Sequence, residues 1–197
     1  AAYDDKRDAM VLFGGYIVGY GTLTAYDDTW EHTPAGFIAR TPTTKPPARW
    51  AAAMGHDMQR GVTVMFGGQA GTLAVNAPLA DTWEWDGVNW KMITPAFSPP
   101  ATAGASLVWD EVGKRLVLIG GNTTEVYAYD GVNWTRLTTS GLVRRLQGFW
   151  SYDPFRKTLL GYGGHTGAGI YGGSSTFGTI LDSIVEWRAM TPDVYER

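Results

Sequence analysis

The stretch DTWEWDGVNW, residues 81 to 90, returns as EVYAYDGVNW at residues 125 to 134. Its opening also has an earlier copy, Asp28-Thr29-Trp30 against Asp81-Thr82-Trp83. Trp83 and Trp85 alternate with Thr82 and Glu84, which is the period of a β-strand with two unlike faces. Asp86-Gly87 and Asp130-Gly131 are tight-turn signals, so each copy reads as two strands joined by a hairpin. A fainter fourth copy is Asp182-Ser183-Ile184 with Trp187, closed by Thr191-Pro192 as Thr41-Pro42 and Thr94-Pro95 close earlier ones.

Upstream of each copy stands a second repeated feature. Gly-Gly pairs occur at Gly14-Gly15, Gly67-Gly68, Gly120-Gly121 and Gly163-Gly164. Each follows an aspartate (Asp4, Asp57, Asp110, Asp153) at one fixed spacing, and the residue before that aspartate is Tyr3, His56, Trp109 or Tyr152. Between aspartate and glycines lie short β-rich runs such as Val64-Met65-Phe66 and Leu116-Val117-Leu118-Ile119. Each unit therefore reads as four short strands; in the second they are roughly Arg49–Gly55, Val62–Phe66, Asp81–Trp85 and Trp90–Thr94. Prolines at 46, 47, 99 and 100 mark linkers, since proline cannot donate to a ladder.

Composition agrees with an all-β chain. Of 197 residues 26 are glycine, another 26 are Trp, Tyr or Phe, and only 18% are charged. That excludes a disordered chain, which needs few aromatics and a high net charge. No apolar run is long enough to span a membrane as a helix. A formal charge of −3 with no basic stripe argues against nucleic acid as the partner. The absence of cysteine removes disulfides, thiolate metal sites and cysteine nucleophiles. The first residue is Ala1 rather than Met, which reads as a processed form or an excerpt.

Four strands per unit of about 50 residues, Gly-Gly closing the second strand, and Trp or Tyr in the third and fourth resemble the kelch repeat. The resemblance covers nearly the whole chain and is closest in residues 81 to 100, where it is similar to bacterial tandem-kelch proteins. It implies a single all-β domain, a kelch-type β-propeller of about four blades, at residues 1–44, 45–97, 98–141 and 142–197. The physical reason agrees, because one four-stranded sheet cannot bury both faces whereas blades set side by side can. The family usually closes with more than four blades. Either this is a small four-bladed ring, or the remaining blades lie on a removed segment or a second copy.

In a blade of antiparallel strands a to d, the b–c loops and d–a linkers share one end. The a–b and c–d turns lie at the other end and are stereotyped aspartate turns, so individuality lies in the b–c loops. The first, from Tyr16 to Asp27, holds Tyr16 and Tyr20, and the fourth runs from His165 through Tyr171 to Leu181. Tyr, Gly, Ser and Thr together suit adaptable recognition, and tyrosine rings suit stacking on sugars. Tyr16, Tyr20, His165 and Tyr171 are thus candidate ligand contacts, on the condition that blades one and four are neighbours. Arg49 and Arg145 begin inner strands, where each serves either as a structural pair for an aspartate or as an acceptor of a ligand carboxylate. Trp30, Trp83, Trp90 and Trp134 recur at repeat spacing and read as packing between blades.

No catalytic constellation or metal-ligand spacing is legible in His32, His56 and His165, and no cofactor is expected. Asn122-Thr123-Thr124 and Asn133-Trp134-Thr135 match the glycosylation sequon. The expectation is a non-catalytic propeller that binds a glycan or protein, exported from a bacterial cell. Kelch relatives also include galactose oxidases, whose cofactor needs a cysteine that is missing here, and sialic acid mutarotases. An enzyme of the latter kind acting in the funnel, or a structural module of an extracellular or phage assembly, are the alternatives.

Overall fold

The computed structural model describes residues 1–19, 22–70, 77–137, 145–166 and 184–187. Its strands in chain order are β1 (Ala2–Asp4), β2 (Ala9–Gly19), β3 (Thr22–Thr33), β4 (Gly36–Arg40), β5 (Ala53–Asp57), β6 (Val62–Phe66), β7 (Gln69–Ala70), β8 (Ala77–Pro78) and β9 (Thr82–Trp85). They continue with β10 (Trp90–Ile93), β11 (Ala105–Asp110), β12 (Arg115–Gly120), β13 (Val126–Tyr129), β14 (Trp134–Leu137), β15 (Phe149–Asp153), β16 (Thr158–Tyr162) and β17 (Ile184–Trp187). Among the described residues there is no helix. The sheets are β1-β2-β3-β4, β5-β6-β9-β10, β11-β12-β13-β14 and β15-β16-β17, each a meander of antiparallel neighbours. Their first strands stand side by side, β1 by β5, β5 by β11 and β11 by β15, so the sheets are arranged as blades 1 to 4 with those strands innermost.

Residues directly opposite across a ladder share a face of the sheet. In blade 2, Thr63 pairs with Trp85, Trp85 with Trp90, and Met65 with Trp83. One face therefore carries Met54, Met65, Trp83, Trp85 and Trp90, and it packs against Ala2 and Val11 of blade 1. The other face carries Ala53, Val64 and Phe66, packed under Leu107, Leu116, Leu118, Tyr127, Tyr129 and Trp134 of blade 3. Blade 3 in turn lays Val117, Ile119 and Val126 on Leu159 of blade 4. Each blade thus has an aromatic face directed at the preceding blade and an aliphatic face directed at the following one. This is why middle-blade strands such as Leu116-Val117-Leu118-Ile119 are buried on both sides and show no polar alternation.

Polar keys fix how adjacent blades meet. The Trp85 indole N–H donates to Glu31 at 2.9 Å, and the Trp90 indole to the Thr29 hydroxyl at 2.9 Å. One junction further, the Tyr129 hydroxyl donates to Glu84 at 2.9 Å and the Trp134 indole to Thr82 at 2.9 Å. Each buried donor finds a partner on the neighbouring blade, which avoids the penalty of an unsatisfied polar group. The a–b turns serve the same junctions. Asp4 and Asp57 accept the backbone N–H groups two and three residues on, and hold Arg7 and Arg60 at 2.6 and 2.7 Å. Those arginines then reach Glu31 at 2.5 Å and Glu84 at 2.6 Å. They bridge carboxylates rather than merely extending into solvent, as turn chemistry alone suggests.

The Gly-Gly pairs let the incoming segment of the next blade pass close to the backbone. A Cβ on Gly67, whose φ is +61°, would meet the Thr102 carbonyl oxygen at 2.5 Å. Gly163 has a similar φ of +70°, but among the described residues nothing lies within 4 Å of its Cβ position. Both alanine variants carry the strain of a left-handed backbone, and only Gly67→Ala adds a backbone clash. Gly67→Ala is therefore expected to lower stability by about 2 kcal/mol more than Gly163→Ala, as compared by urea unfolding.

Two sequence expectations change. Arg49 and Arg145 lie ahead of their inner strands rather than beginning them. The first b–c segment is largely strand: β2 runs to Gly19 and β3 begins at Thr22, paired from Gly15 with Tyr26 to Gly19 with Thr22, with a bulge between Phe13 and Gly15. Ile17, Val18, Leu23 and Thr24 favour a strand, and that preference outweighs the glycines among them. Among the described residues the blades do not close into a four-membered ring. β1 packs on β5 and β15 on β11, with no comparable packing of β15 on β1. Trp30, which matches buried Trp83, is accordingly 38% exposed, with none of the described strands packed on its face.

Candidate functional site

Beside the inner strands runs an open groove of about 1140 Å³. Its wall includes Tyr3, Trp109, Trp150 and Tyr152, with Ser106, Gln147 and Ser151 between them. Tyr3, His56, Trp109 and Tyr152 are the residues that precede the turn aspartates, so the repeat itself delivers a ring to this wall from every blade. Side-chain bonds hold the rings. The Tyr3 hydroxyl donates to Asp8 at 2.5 Å and the Trp109 indole to Glu111 at 2.6 Å. Aromatic faces next to hydroxyls and an amide form a surface that is apolar in patches and able to hydrogen-bond.

A backbone collar borders the groove at the Gly-Gly end. Ala51, Gly104 and Gln147 occupy one repeat position and all have positive φ, of 53°, 68° and 57°. Gly104 N–H donates to the Ala51 carbonyl at 2.8 Å, and Gln147 N–H to the Gly104 carbonyl at 2.9 Å. An alanine and a glutamine held in this conformation are strained, and such strain persists where the surroundings over-determine the backbone. The collar fixes Gln147 at the groove wall, with its side chain exposed. Only one of the three positions is glycine, so the sequence carries no signal for the collar.

The residues singled out in the sequence fall elsewhere. Arg49 is buried, with both terminal nitrogens on Asp81 at 2.6 and 2.8 Å and further bonds to the Gly67 and Pro47 carbonyls. It is a structural pair. Arg145 is equally buried and donates to the Gly163 carbonyl at 2.7 Å. Tyr16 packs against Trp50 with ring centroids 5.6 Å apart. His165 is tied to Leu146 by two backbone bonds of 3.1 Å. Tyr20 and Tyr171 lie outside the described residues. The structure thus does not bring Tyr16 and His165 to one rim between neighbouring blades one and four.

The acid–base side chains on the groove wall, tyrosines aside, are His56 and Glu111. Burial lowers the pKa of His56, against the opposing charges of Asp4 and Asp5, which raise it. His56, Asp4 and Asp5 form the one such cluster close enough to hold a metal among the described residues. Asp4, however, is already used by the N–H groups of Lys6 and Arg7 and by the Arg7 guanidinium. That set is a turn anchor with a histidine beside it. Asn133, one of the two sequon asparagines, accepts the Ala96 N–H at 2.8 Å and is occupied as a tether to the preceding linker.

Among solved structures, that of YjhT is similar to this chain, with a TM-score of 0.59 at 17% sequence identity. The match covers 82% of this chain and 57% of YjhT, so the chain spans little more than half that protein's length. At this identity the likeness shows the fold: an all-β, propeller-like arrangement of blades. No family model and no curated protein matches the chain.

Proposed function

We propose that this chain is a kelch-type propeller module that binds a glycan in the groove along its inner strands. The observation that supports this most is the wall itself, where aromatic rings delivered by the repeat alternate with neutral hydrogen-bonding groups. Sugars present apolar C–H faces and hydroxyl edges, and that wall matches both. The wall bears few charges, which suits a neutral ligand better than a polyanion. A glycan ligand also fits an exported bacterial protein that works at a cell or phage surface.

A second reading is an enzyme acting on a sugar in the same groove, in the manner of the kelch-type sialic acid mutarotases. It rests on His56, an imidazole on the wall whose Nε2 lies 3.4 Å from Asp5 and 3.5 Å from Asp4. Proton transfer needs a group of this kind. Screening the labelled chain on a glycan array tests binding, and following anomer exchange of sialic acid by NMR tests the second reading. Retention of a defined set of glycans without faster anomer exchange is the expected result. Anomer exchange accelerated by wild type and lost in His56→Gln would favour the enzyme. An array with no glycan retained, beside retention of a protein partner, would overturn the glycan reading.

A further inference from the structure

The keys that join blades 1, 2 and 3 are also present at the two uncovered ends. On the aliphatic face, Glu31 stands opposite Val11 and Glu84 opposite Val64, and each accepts a donor from the following blade. In blade 4 the same place, opposite Leu160, is held by Glu186, which is exposed. The supporting arginine is there too. Arg156 is bonded to Asp153 at 2.7 Å, as Arg7 is to Asp4, and is coupled electrostatically to Glu186. Blade 3 has neither member of the device, with Gly113 and Ala128 at those positions. Arginine and glutamate therefore occur together or not at all, and in blades 1 and 2 the glutamate accepts a donor from the blade that follows. On blade 4 no described strand covers that face, and Phe149 is 79% exposed on it.

Blade 1 carries the complementary half. Its aromatic face, with Met10, Trp30 and Phe37, is uncovered, and Phe37 is 67% exposed. His32, opposite Met10, holds the place of the donors Trp85 and Tyr129. Phe37, opposite His32, holds that of Trp90 and Trp134. Across the junction, Ile184 holds the register position of the acceptors Thr29 and Thr82. Where the ring has no N–H to donate, the hydroxyl that would receive it has also gone.

The geometry points to a second copy of this chain as the occupant: its blade 1 lies on blade 4 of the first, with His32 donating to Glu186 and Phe37 over the Ile184 position. The contact is head to tail, and His32, Phe37 and Glu186 are not among the residues of the groove wall. Two such contacts between two copies join eight blades, within the range of about four to eight that propellers use. The apolar faces supply most of the association, and the histidine–glutamate pair fixes register.

Sedimentation velocity of the full 197-residue chain over a dilution series tests this. Wild type is expected to be a dimer that dissociates on dilution. His32→Glu, which sets carboxylate against carboxylate, is expected to raise the dissociation constant about tenfold or more. His32→Glu combined with Glu186→Lys is expected to restore association, while Phe37→Asp abolishes it. All three positions changed are exposed, so thermal melts serve as the control for folding. A wild type that stays monomeric throughout overturns the proposal and leaves these faces to blades of another polypeptide. A dimer unaffected by His32→Glu and Phe37→Asp, or a double variant that does not re-associate, overturns it as well.

Discussion

Truncating Trp85 to alanine is expected to lower the unfolding free energy by about 3–5 kcal/mol, the range for a fully buried aromatic. Trp85 has no exposed surface and lies between blades 1 and 2, tilted against Trp90 at 5.5 Å. Its loss opens a cavity in a junction formed by two flat sheets, which cannot collapse without moving a whole blade. Its indole also bonds Glu31. Burial alone would raise the pKa of Glu31, but hydrogen bonds from Trp85, Arg40 and Arg7 outweigh it and hold the pKa below 4.5. Trp85→Phe separates the two effects. It keeps most of the packing and leaves Glu31 with both arginines, so about 1 kcal/mol is expected for the lost bond. Urea unfolding of the three proteins measures this, and a Trp85→Ala midpoint equal to that of Trp85→Phe would show that the junction is not packed as described.

Arg49→Met is expected to destabilise the protein by about 3 kcal/mol at neutral pH, the lower end for a broken buried ion pair. The lower end applies because Asp81 keeps 28% of its side chain exposed and is partly rehydrated when the arginine is gone. The Gly67 and Pro47 carbonyls lose their donor in the same step. Burial pushes the Asp81 pKa up, but bonds from Arg49 and Trp83 prevail and hold it below 3.8. A carboxylate whose folded pKa is depressed adds stability that is full above its unfolded pKa and is lost as pH falls through the folded value. The gap between wild type and Arg49→Met should therefore be constant from neutral pH down to about 4 and narrow below it. A gap that does not change with acid would mean that the pair contributes through shape alone.

The fold was legible because the repeat states it several times. Asp57 to Gly68 and Asp81 to Trp90 each have copies at matching spacing, and alternation within Thr82 to Trp85 separates the two faces. The alternation also placed Thr82 and Glu84 together, yet their task as acceptors for Trp134 and Tyr129 was not visible. The donors belong to the next repeat, and no local pattern joins them. The extension of the β2–β3 ladder to Gly19 and Thr22 was hidden by glycines that read as loop, while the β-branched residues beside them built the ladder. Arg49 was legible as a partner for an aspartate or for a ligand carboxylate, and in the structure its two terminal nitrogens lie on Asp81. The groove escaped for a different reason. Its wall is assembled from the innermost segments of all four blades, far apart in the chain, and its collar depends on backbone angles at Ala51 and Gln147 that side-chain chemistry does not announce.

The groove as the binding site is tested most directly by isothermal titration with the glycan that the array selects. Wild type would be compared with a Gln147→Ala, Tyr152→Ala double variant whose fold is checked by its thermal melt. Both side chains lie on the groove wall and away from the polar keys between blades. Loss of a hydrogen-bonding amide and a stacking ring is expected to weaken binding about a hundredfold, from roughly 1–2 kcal/mol for each. A double variant that melts as a folded protein and binds the glycan with the wild-type affinity would contradict the assignment of this groove.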